Sequence, residues 1–314
     1  MKDLRIVFMG TPDFAVTILK HLVENNYNIV GVITAPDKPA GRGRKLNESA
    51  VKKYAASKEL TILQPKNLKE EAFHQELKDL KADLQIVVAF RMLPKAVWKM
   101  PKFGTFNLHA SLLPAYRGAA PIHWSIINGE TKTGVTSFFI DDKIDTGEII
   151  LQEEIAVTDT ETVGSLHDKL MFLGADLVSK TIDLISKGNI TTKKQPELEE
   201  KSAPKLHAEN TKIDWTISLD AIYNKIRGLN PFPAAWTNIK NDTEEIATKI
   251  YAVRKEIEIH SYKAGKIVAS KKELKVAVKN GFIIIDEIKL SGKKKMDAKS
   301  LLNGYTFSEA AEML

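Results

Sequence analysis

The chain has 314 residues, of which 43% are hydrophobic, and its 46 Lys and Arg against 40 Asp and Glu give a formal net charge of +6. This composition supplies apolar cores and excludes a disordered chain, and the length exceeds that of a usual single domain, so two domains are expected. No run approaches the ~20 apolar residues of a membrane span, so we expect a cytoplasmic protein without membrane contact. The absence of cysteine excludes disulfides, and the seven His form no ligand cluster, so we predict no metal.

In the first 190 residues, apolar strand-like runs alternate with helical patterns. The clearest strand-like runs lie at residues 4–9, 29–33 and 84–89, and the helical patterns lie at 12–24, 48–57 and 69–80. Nearly continuous apolar strands are typical of a parallel sheet covered on both faces, so we predict an α/β, doubly wound, Rossmann-like domain. Ligands of such sheets bind beyond the carboxyl ends of the strands, where Gly10, Phe90, His109 and Asp145 are expected to converge.

A cationic loop is predicted after the second strand. Residues 35–47 contain two Pro, two Gly and four basic residues. Such a loop suits the binding of phosphates, and Arg42, Arg44 and Lys45 are its candidate contacts. An ordinary solvated loop is the alternative.

Asn107 and His109 lie two residues apart in a strand-like segment that runs into residues 110–114. Side chains at this spacing in an extended strand share one face. An amide N–H and a ring nitrogen aimed at one point suit the negative charge of a tetrahedral intermediate. Acyl or formyl transfer is therefore our first hypothesis, although a simple polar pair would have the same spacing.

Asp145 is the third candidate. It lies in a predicted loop after the strand-like run 134–139. A carboxylate at this place would orient His109 or pass a proton from an attacking amine through water. An Asx-turn residue before Gly147 is the alternative role.

The C-terminal part has a different pattern. An amphipathic helix is predicted over 165–188, a polar linker over 191–204, and a second domain over 205–314, so the first domain covers 1–190. In the second domain a helix near 219–228 precedes short strands at 246–253, 266–269, 274–278 and 281–290. Several short strands after one helix predict a small OB-like β-barrel.

The positive charge is concentrated in this second domain. Residues 205–314 hold 19 Lys and Arg against 14 Asp and Glu, a net charge of +5, while residues 1–204 have a net charge of +1. This surplus suggests a polyanionic partner such as nucleic acid. Lys293, Lys294 and Lys295 are candidate phosphate contacts, with a solvated Lys-rich surface as the alternative.

Six short motifs occur together along the chain. They lie at Phe8–Ala15, Asn107–Pro114, Tyr116–Ile122, Asp145–Gly147, Arg227–Pro233 and Gly292–Met296. In this combination the sequence resembles the methionyl-tRNA formyltransferase family over nearly its whole length.

The resemblance implies transfer of a formyl group from the co-substrate 10-formyltetrahydrofolate to the α-amino group of methionyl initiator tRNA. It implies catalytic roles for Asn107, His109 and Asp145, and it implies that the loop around Arg42 enters the tRNA acceptor end. A monomer is expected. The implied folate contacts are Ser111, Leu112, Leu113 and Pro114, together with the pterin-site loop of Phe90, Arg91 and Met92.

The mechanism expected from these residues is a direct attack of the amine on the formyl carbon, through a tetrahedral intermediate. Asn107 and an N–H of His109 would stabilise the oxyanion. Asp145 would fix the His109 tautomer and help move the proton to the departing folate nitrogen. No covalent enzyme intermediate is expected, because the chain offers no Cys and no Ser beside a base.

Two other classes of function remain open from the sequence. A small-molecule formyltransferase or a formyltetrahydrofolate hydrolase would use the same three residues but would not need the basic loop. A non-catalytic tRNA-binding protein would keep the positive surplus but would not need Asn107, His109 and Asp145 together. Formylation of charged initiator tRNA distinguishes these classes.

Overall fold

The structure is a computed structural model that describes residues 3–40, 45–188, 190–196 and 201–314. The chain divides into two compact units, each assembled from three segments. The first unit comprises Met1–Pro121, Thr133–Ile155 and His167–Ser202, and the second comprises Ile122–Lys132, Ala156–Leu166 and Ala203–Leu314.

The helices and strands follow one another along the chain from the N-terminus. As far as Ala203 they are β1 (Ile6–Gly10), α1 (Asp13–Glu24), β2 (Ile29–Ile33), β3 (Lys38–Ala40), β4 (Lys45–Asn47), α2 (Ala50–Ser57), β5 (Ile62–Leu63), α3 (Glu71–Asp79), β6 (Leu84–Val88), α4 (Lys95–Trp98), β7 (Thr105–His109), β8 (Arg117–Gly118), α5 (Pro121–Ile127), β9 (Lys132–Phe139), β10 (Ile149–Ala156), α6 (Val163–Ser186) and β11 (Ser202–Ala203). Beyond Ala203 they are α7 (Ala208–Thr211), α8 (Leu219–Leu229), β12 (Ala235–Asn241), β13 (Glu244–Ile257), β14 (Ile267–Ala269), β15 (Leu274–Val278), β16 (Gly281–Leu290), β17 (Met296–Asp297), α9 (Ala298–Leu302) and β18 (Glu312–Met313).

The first unit is built on one sheet with the strand order β10-β9-β7-β6-β1-β2-β5. The pairs β1–β2, β1–β6, β2–β5 and β6–β7 are parallel, which confirms the predicted α/β class. In contrast to an all-parallel sheet, β9 pairs antiparallel with β7. The first two residues of the edge strand β10 are buried. Its remaining residues alternate between partly buried and exposed, as expected for a strand with one solvated face.

The core of this unit explains why the central strands are apolar throughout. Every residue of β1 and of β6 is buried, so neither strand has a solvated face. Helix α1 covers the sheet with Phe14, Ile18 and Leu22, whose spacing of four residues places them on one side of the helix. This packing leaves the carboxyl ends of the strands as the edge where polar loops meet.

The second unit contains an antiparallel sheet with the order β14-β15-β16-β13-β12-β18. The sheet nearly closes on itself, because the Met313 amide donates to the Gly265 carbonyl at 2.7 Å and the Ile267 amide donates to the Ala311 carbonyl at 3.1 Å. The predicted β-barrel is confirmed. Strands β15 and β16 have the predicted bounds, whereas β12 and β18 were not predicted.

Helix α8 packs on the second unit's core through Ile222, Ile226 and Leu229. Its Arg227 is buried, and the guanidinium donates to the Glu161 carbonyl at 2.9 Å and to the Thr158 carbonyl at 3.3 Å. Burial lowers the pKa of Arg227 from its ordinary value. The barrel is thus tied to the segment Ala156–Leu166 of the same unit.

Within the described part of the chain, none of the helices combines the length and the apolar character needed to cross a bilayer. Helix α6 is long, but it is amphipathic, as the sequence pattern predicted.

Strands β3 and β4 pair as a hairpin whose base is fixed by charged side chains. Lys52 of α2 forms an ion pair with Asp37 and a second one with Glu48 at 2.8 Å. The Gln64 amide donates to Asp37 and to the Ala35 carbonyl, both at 2.8 Å. The hydrogen bond from Lys52 lowers the pKa of Asp37, and the same bond raises the pKa of Lys52.

We predict that Lys52→Met raises the pKa of Asp37 towards its ordinary value of 3.8, because the largest cause of its lowering is removed while the hydrogen bond from Gln64 remains. Since the folded-state pKa of Asp37 lies below that value, the pair stabilises the hairpin above about pH 4 and is lost as the pH falls through the lowered pKa. Carboxyl NMR titration measures this change. Lys53→Met, at an exposed neighbouring position, is the matched control, and an unchanged Asp37 titration in Lys52→Met would contradict the prediction.

Candidate active site

Asn107 and His109 lie at the carboxyl end of β7 and share one face of the strand, as predicted from their spacing. Across the sheet, Asn107 is in register with Val87 of β6 and Phe138 of β9. The Oδ1 atom of Asn107 is buried and has no hydrogen-bond partner among the described residues. A buried acceptor without a hydrogen-bond partner raises the free energy of the folded protein. This oxygen is therefore suited to accept a hydrogen bond from a bound substrate.

The His109 ring is buried and held by a backbone carbonyl. Its Nε2 lies 2.8 Å from the Tyr116 carbonyl, and a carbonyl only accepts, so Nε2 carries a hydrogen. Its Nδ1 faces the Asp145 Oδ2 at 3.8 Å, which is longer than a direct hydrogen bond. The tautomer of His109 is therefore set by Tyr116, in contrast to the expected role of Asp145, and Nδ1 is the nitrogen that faces the carboxylate.

Asp145 is directed towards His109 by its loop. Asp141 forms the turn, because its Oδ1 accepts from the Lys143 amide at 2.9 Å and from the Thr146 hydroxyl at 2.8 Å. Asp145 has a left-handed φ of 54°, and its Oδ2 accepts from the distant Gly118 amide at 2.9 Å. Asp141, and not Asp145, is thus the residue that caps this turn.

The loop from Ser111 to Pro114 is held by two polar side chains of the neighbouring strands. Thr136 of β9 donates its hydroxyl to the Ser111 carbonyl at 2.6 Å and accepts from the Leu113 amide at 3.2 Å. Gln152 of β10 donates to the Leu113 carbonyl and to the Thr136 hydroxyl, both at 2.9 Å. The Leu113–Pro114 peptide is cis. The loop is thereby fixed directly after His109.

The predicted folate-contact residues differ in their surroundings. In the first loop, Ser111 is buried and its hydroxyl donates to the Ala115 carbonyl at 2.7 Å. In the loop after β6, Phe90 is partly buried and Met92 is exposed. Arg91 donates to the carbonyls of residues 65 and 66, and burial lowers its pKa from the ordinary value. The hydroxyl of Ser111 and the guanidinium of Arg91 thus already have backbone partners.

The predicted tRNA contacts fall into two groups. Arg42 and Arg44 lie outside the described residues, and Lys45 is the first residue of β4. The run Lys293–Lys295 is exposed between β16 and β17 of the second unit, where Lys295 forms an ion pair with Glu287 at 2.8 Å.

Two residues near Asp145 were not predicted as functional. Gln195 is buried although it lies in the predicted linker, and Arg117 is buried beside it. The same segment is joined to the sheet where Lys193 and Ile149 exchange backbone hydrogen bonds at 2.9 Å. The burial of Gln195 could not be predicted, because the predicted linker is polar and has no periodicity. Its contact with Arg117 depends on the path of the folded chain.

Among the described residues, His, Asp and Glu side chains form no group of three or more that could hold a metal ion.

Comparisons with known proteins show the family of this chain. A family model described as formyl transferase matches residues 4–182, and the model of its C-terminal domain matches residues 205–306. The chain belongs to the formyl transferase family. The N-terminal match spans the positions of Asn107, His109 and Asp145.

Relatives of this family cover the whole chain. A methionyl-tRNA formyltransferase from Flavobacterium johnsoniae is 60% identical over 314 residues, which is 100% of both chains. A methionyl-tRNA formyltransferase from Bacteroides fragilis is 52% identical over 99% of this chain and 98% of its own. An N-formyltransferase from Helicobacter canadensis, solved with folinic acid and dTDP-3-aminofucose, has a TM-score of 0.67 and 23% identity over 90% of this chain and 98% of its own. That likeness shows a shared fold.

We predict that Gly147→Ala destabilises the loop of Asp145. A Cβ at Gly147 would lie 1.6 Å from the Phe139 carbonyl oxygen, so the backbone must shift. The expected loss is about 1–3 kcal/mol in the free energy of unfolding, measured by chemical denaturation. Gly304→Ala is the control, because nothing lies within 4 Å of its added Cβ. Equal stability of the two variants would contradict the prediction.

Proposed function

We propose that the protein transfers a formyl group from 10-formyltetrahydrofolate to the α-amino group of methionyl initiator tRNA. The observation that carries this proposal is the approach of His109 Nδ1 and Asp145 Oδ2 to 3.8 Å, beside the unpartnered Asn107 oxygen. The choice of substrate is supported by the 60% identity to a methionyl-tRNA formyltransferase over the full chain.

The residues present fit a folate co-substrate. The unpartnered Oδ1 of Asn107 offers an acceptor for an N–H of a substrate. In the loop that follows His109, Leu112 and Pro114 are partly exposed and provide apolar contact surface, while the loop itself is fixed by Thr136 and Gln152. The folate supplies the formyl group, and the loop supplies a rigid wall for it.

Asn107 and His109 stabilise the charge that develops on the formyl oxygen. With Nε2–H donated to Tyr116, the ring has only Nδ1 left to donate to another group, and Nδ1 carries a hydrogen when the ring is protonated. We therefore assign oxyanion stabilisation to the amide of Asn107 and to His109 once its Nδ1 has taken up the proton of the attacking amine. The negative charge of Asp145 stabilises that protonated ring across 3.8 Å.

Asp145 and His109 also receive and return the proton of the reaction. The amine forms the new N–C bond and loses one proton, while the N–C bond to the folate breaks and the leaving nitrogen gains one proton. The pair lies together at the end of β7, so it can hold that proton between the two steps. No nucleophilic side chain of the protein is required.

The proposal is tested by incubating the protein with labelled 10-formyltetrahydrofolate and one acceptor at a time. The acceptors are methionyl initiator tRNA, the same tRNA uncharged, free methionine and a nucleotide-linked amino sugar. Formylation of only the charged tRNA is the expected result. Label on the amino sugar, or release of formate with every acceptor, would replace the proposal by one of the two small-molecule activities.

We predict that His109→Ala lowers kcat for this transfer by about 10²–10³-fold, as for the loss of one oxyanion donor. His74→Ala is the matched control, because the His74 ring also bonds to a backbone carbonyl, that of Leu68 at 2.9 Å, but lies on α3. Steady-state rates at saturating folate and tRNA measure the effect. Nearly full turnover in His109→Ala would exclude the proposed role.

We further predict that the double variant Arg42→Ala/Arg44→Ala weakens tRNA binding and makes it less dependent on salt. Each lost phosphate contact reduces the slope of log K against log salt by roughly 0.7–0.9. Binding is measured between 50 and 200 mM salt, about the range over which such contacts are resolved. Lys20→Ala/Lys78→Ala, on exposed helix positions, removes the same charge and is expected to leave the slope unchanged. Identical slopes for both double variants would refute a phosphate role of the loop.

The expectations that the protein is cytoplasmic and monomeric stay predictions. So does the contact of Lys293, Lys294 and Lys295 with the phosphate backbone.

A further inference from the structure

Gln195 is buried, with 6% of its surface exposed, and both ends of its amide are bonded. Its Oε1 accepts from the Arg117 guanidinium, at 3.1 Å from Nε and 2.8 Å from Nη2. Its Nε2 donates to the Asp145 carbonyl at 3.0 Å and to the Gly147 carbonyl at 2.7 Å. One side chain thus joins a buried guanidinium to the backbone on both sides of Thr146.

The loop that Gln195 holds has little freedom of its own. Asp145 has a left-handed φ, and Gly147 lies so close to Phe139 that no side chain fits. The carbonyls of Asp145 and Gly147 receive their donors from Gln195, and a buried carbonyl without a donor costs free energy. The amide of Gln195 thus supplies both donors to the backbone of the loop that carries the Asp145 carboxylate.

The partner of Gln195 comes from a tripeptide that also contacts the two candidate catalytic side chains. The Tyr116 carbonyl accepts from His109, and the Gly118 amide donates to Asp145. Arg117, between them, donates to Gln195. The ring, the carboxylate and the loop backbone are therefore all tied to residues 116–118.

We infer that Gln195, anchored by Arg117, is a positioning residue that holds Asp145 opposite His109. The inference rests on the proposed formyl transfer. Gln195 acts only through Asp145, because its four hydrogen bonds go to Arg117 and to the loop backbone and none goes to the face that Asn107 and His109 share. A displacement of about 1 Å in a reacting group costs on the order of 10²-fold in rate, so the amide is expected to matter for kcat.

The experiment uses the full-length protein and two substitutions at this position. Gln195→Met removes both functions of the amide at similar volume. Gln195→Glu keeps an acceptor for Arg117 but places an oxygen against the carbonyls of Asp145 and Gly147. We expect both variants to lose at least tenfold in kcat, with KM for folate and for tRNA within about twofold of the wild type.

A double-mutant comparison separates positioning from general loss of structure. In an Asp145→Asn background, Gln195→Met is expected to change kcat by less than about twofold, since the group that it positions is already removed. An equal loss in both backgrounds would overturn the inference. Retention of wild-type kcat by either Gln195 variant would overturn it as well.

Gln85→Met is the matched control, because Gln85 is also a buried amide of the first unit but lies in register with Thr105 at the opposite end of β7. Its kcat is expected to equal that of the wild type.

Thermal unfolding of each variant shows whether it folds. If Gln195→Met does not fold, the kcat of Gln195→Glu, which keeps the Arg117 partner, tests the inference in its place. If the wild type formylates no charged tRNA, the proposed function fails. If the wild type is active and Gln195→Met has the same kcat, only the inference about Gln195 fails.

Discussion

The arrangement of the site depends on the hydrogen bond from His109 Nε2 to the Tyr116 carbonyl. This bond uses one ring nitrogen for structure and leaves the other, Nδ1, facing Asp145. It also fixes the start of residues 116–118, whose Gly118 amide binds the Asp145 carboxylate. The Tyr116 carbonyl therefore leaves Nδ1 as the ring nitrogen that exchanges protons, and Gly118 of the same tripeptide binds the neighbouring carboxylate.

Much of the first unit followed from the sequence because its signals are local. A parallel sheet buried on both faces requires apolar strands, and β1 and β6 are recognisable from this requirement alone. Asn107 and His109 were also found locally, since two residues of one strand share a face whatever surrounds them. In the second unit, the bounds of β15 and β16 were predicted because turn residues enclose each apolar run.

The features that were missed depend on tertiary contacts. Strand β12 mixes polar and apolar residues, and β18 is two residues long, so each is a strand only because a partner strand lies beside it. Gln195 lies in a polar segment that resembles any linker, and its burial follows from the path of residues 190–196 over the loop of Asp145. The contact of His109 Nε2 with the Tyr116 carbonyl was not predicted, because a backbone carbonyl leaves no mark in the sequence.

The boundary at residue 205 that the sequence suggests is a poor place to divide the protein experimentally. The second unit includes Ile122–Lys132 and Ala156–Leu166, both encoded far upstream of the barrel. An expressed fragment that begins at residue 205 would leave the Arg227 guanidinium without the carbonyls of Thr158 and Glu161, and it would leave Gly228 without the close packing of Ile127. A fragment that contains the whole second unit must therefore also contain Ile122–Lys132 and Ala156–Leu166.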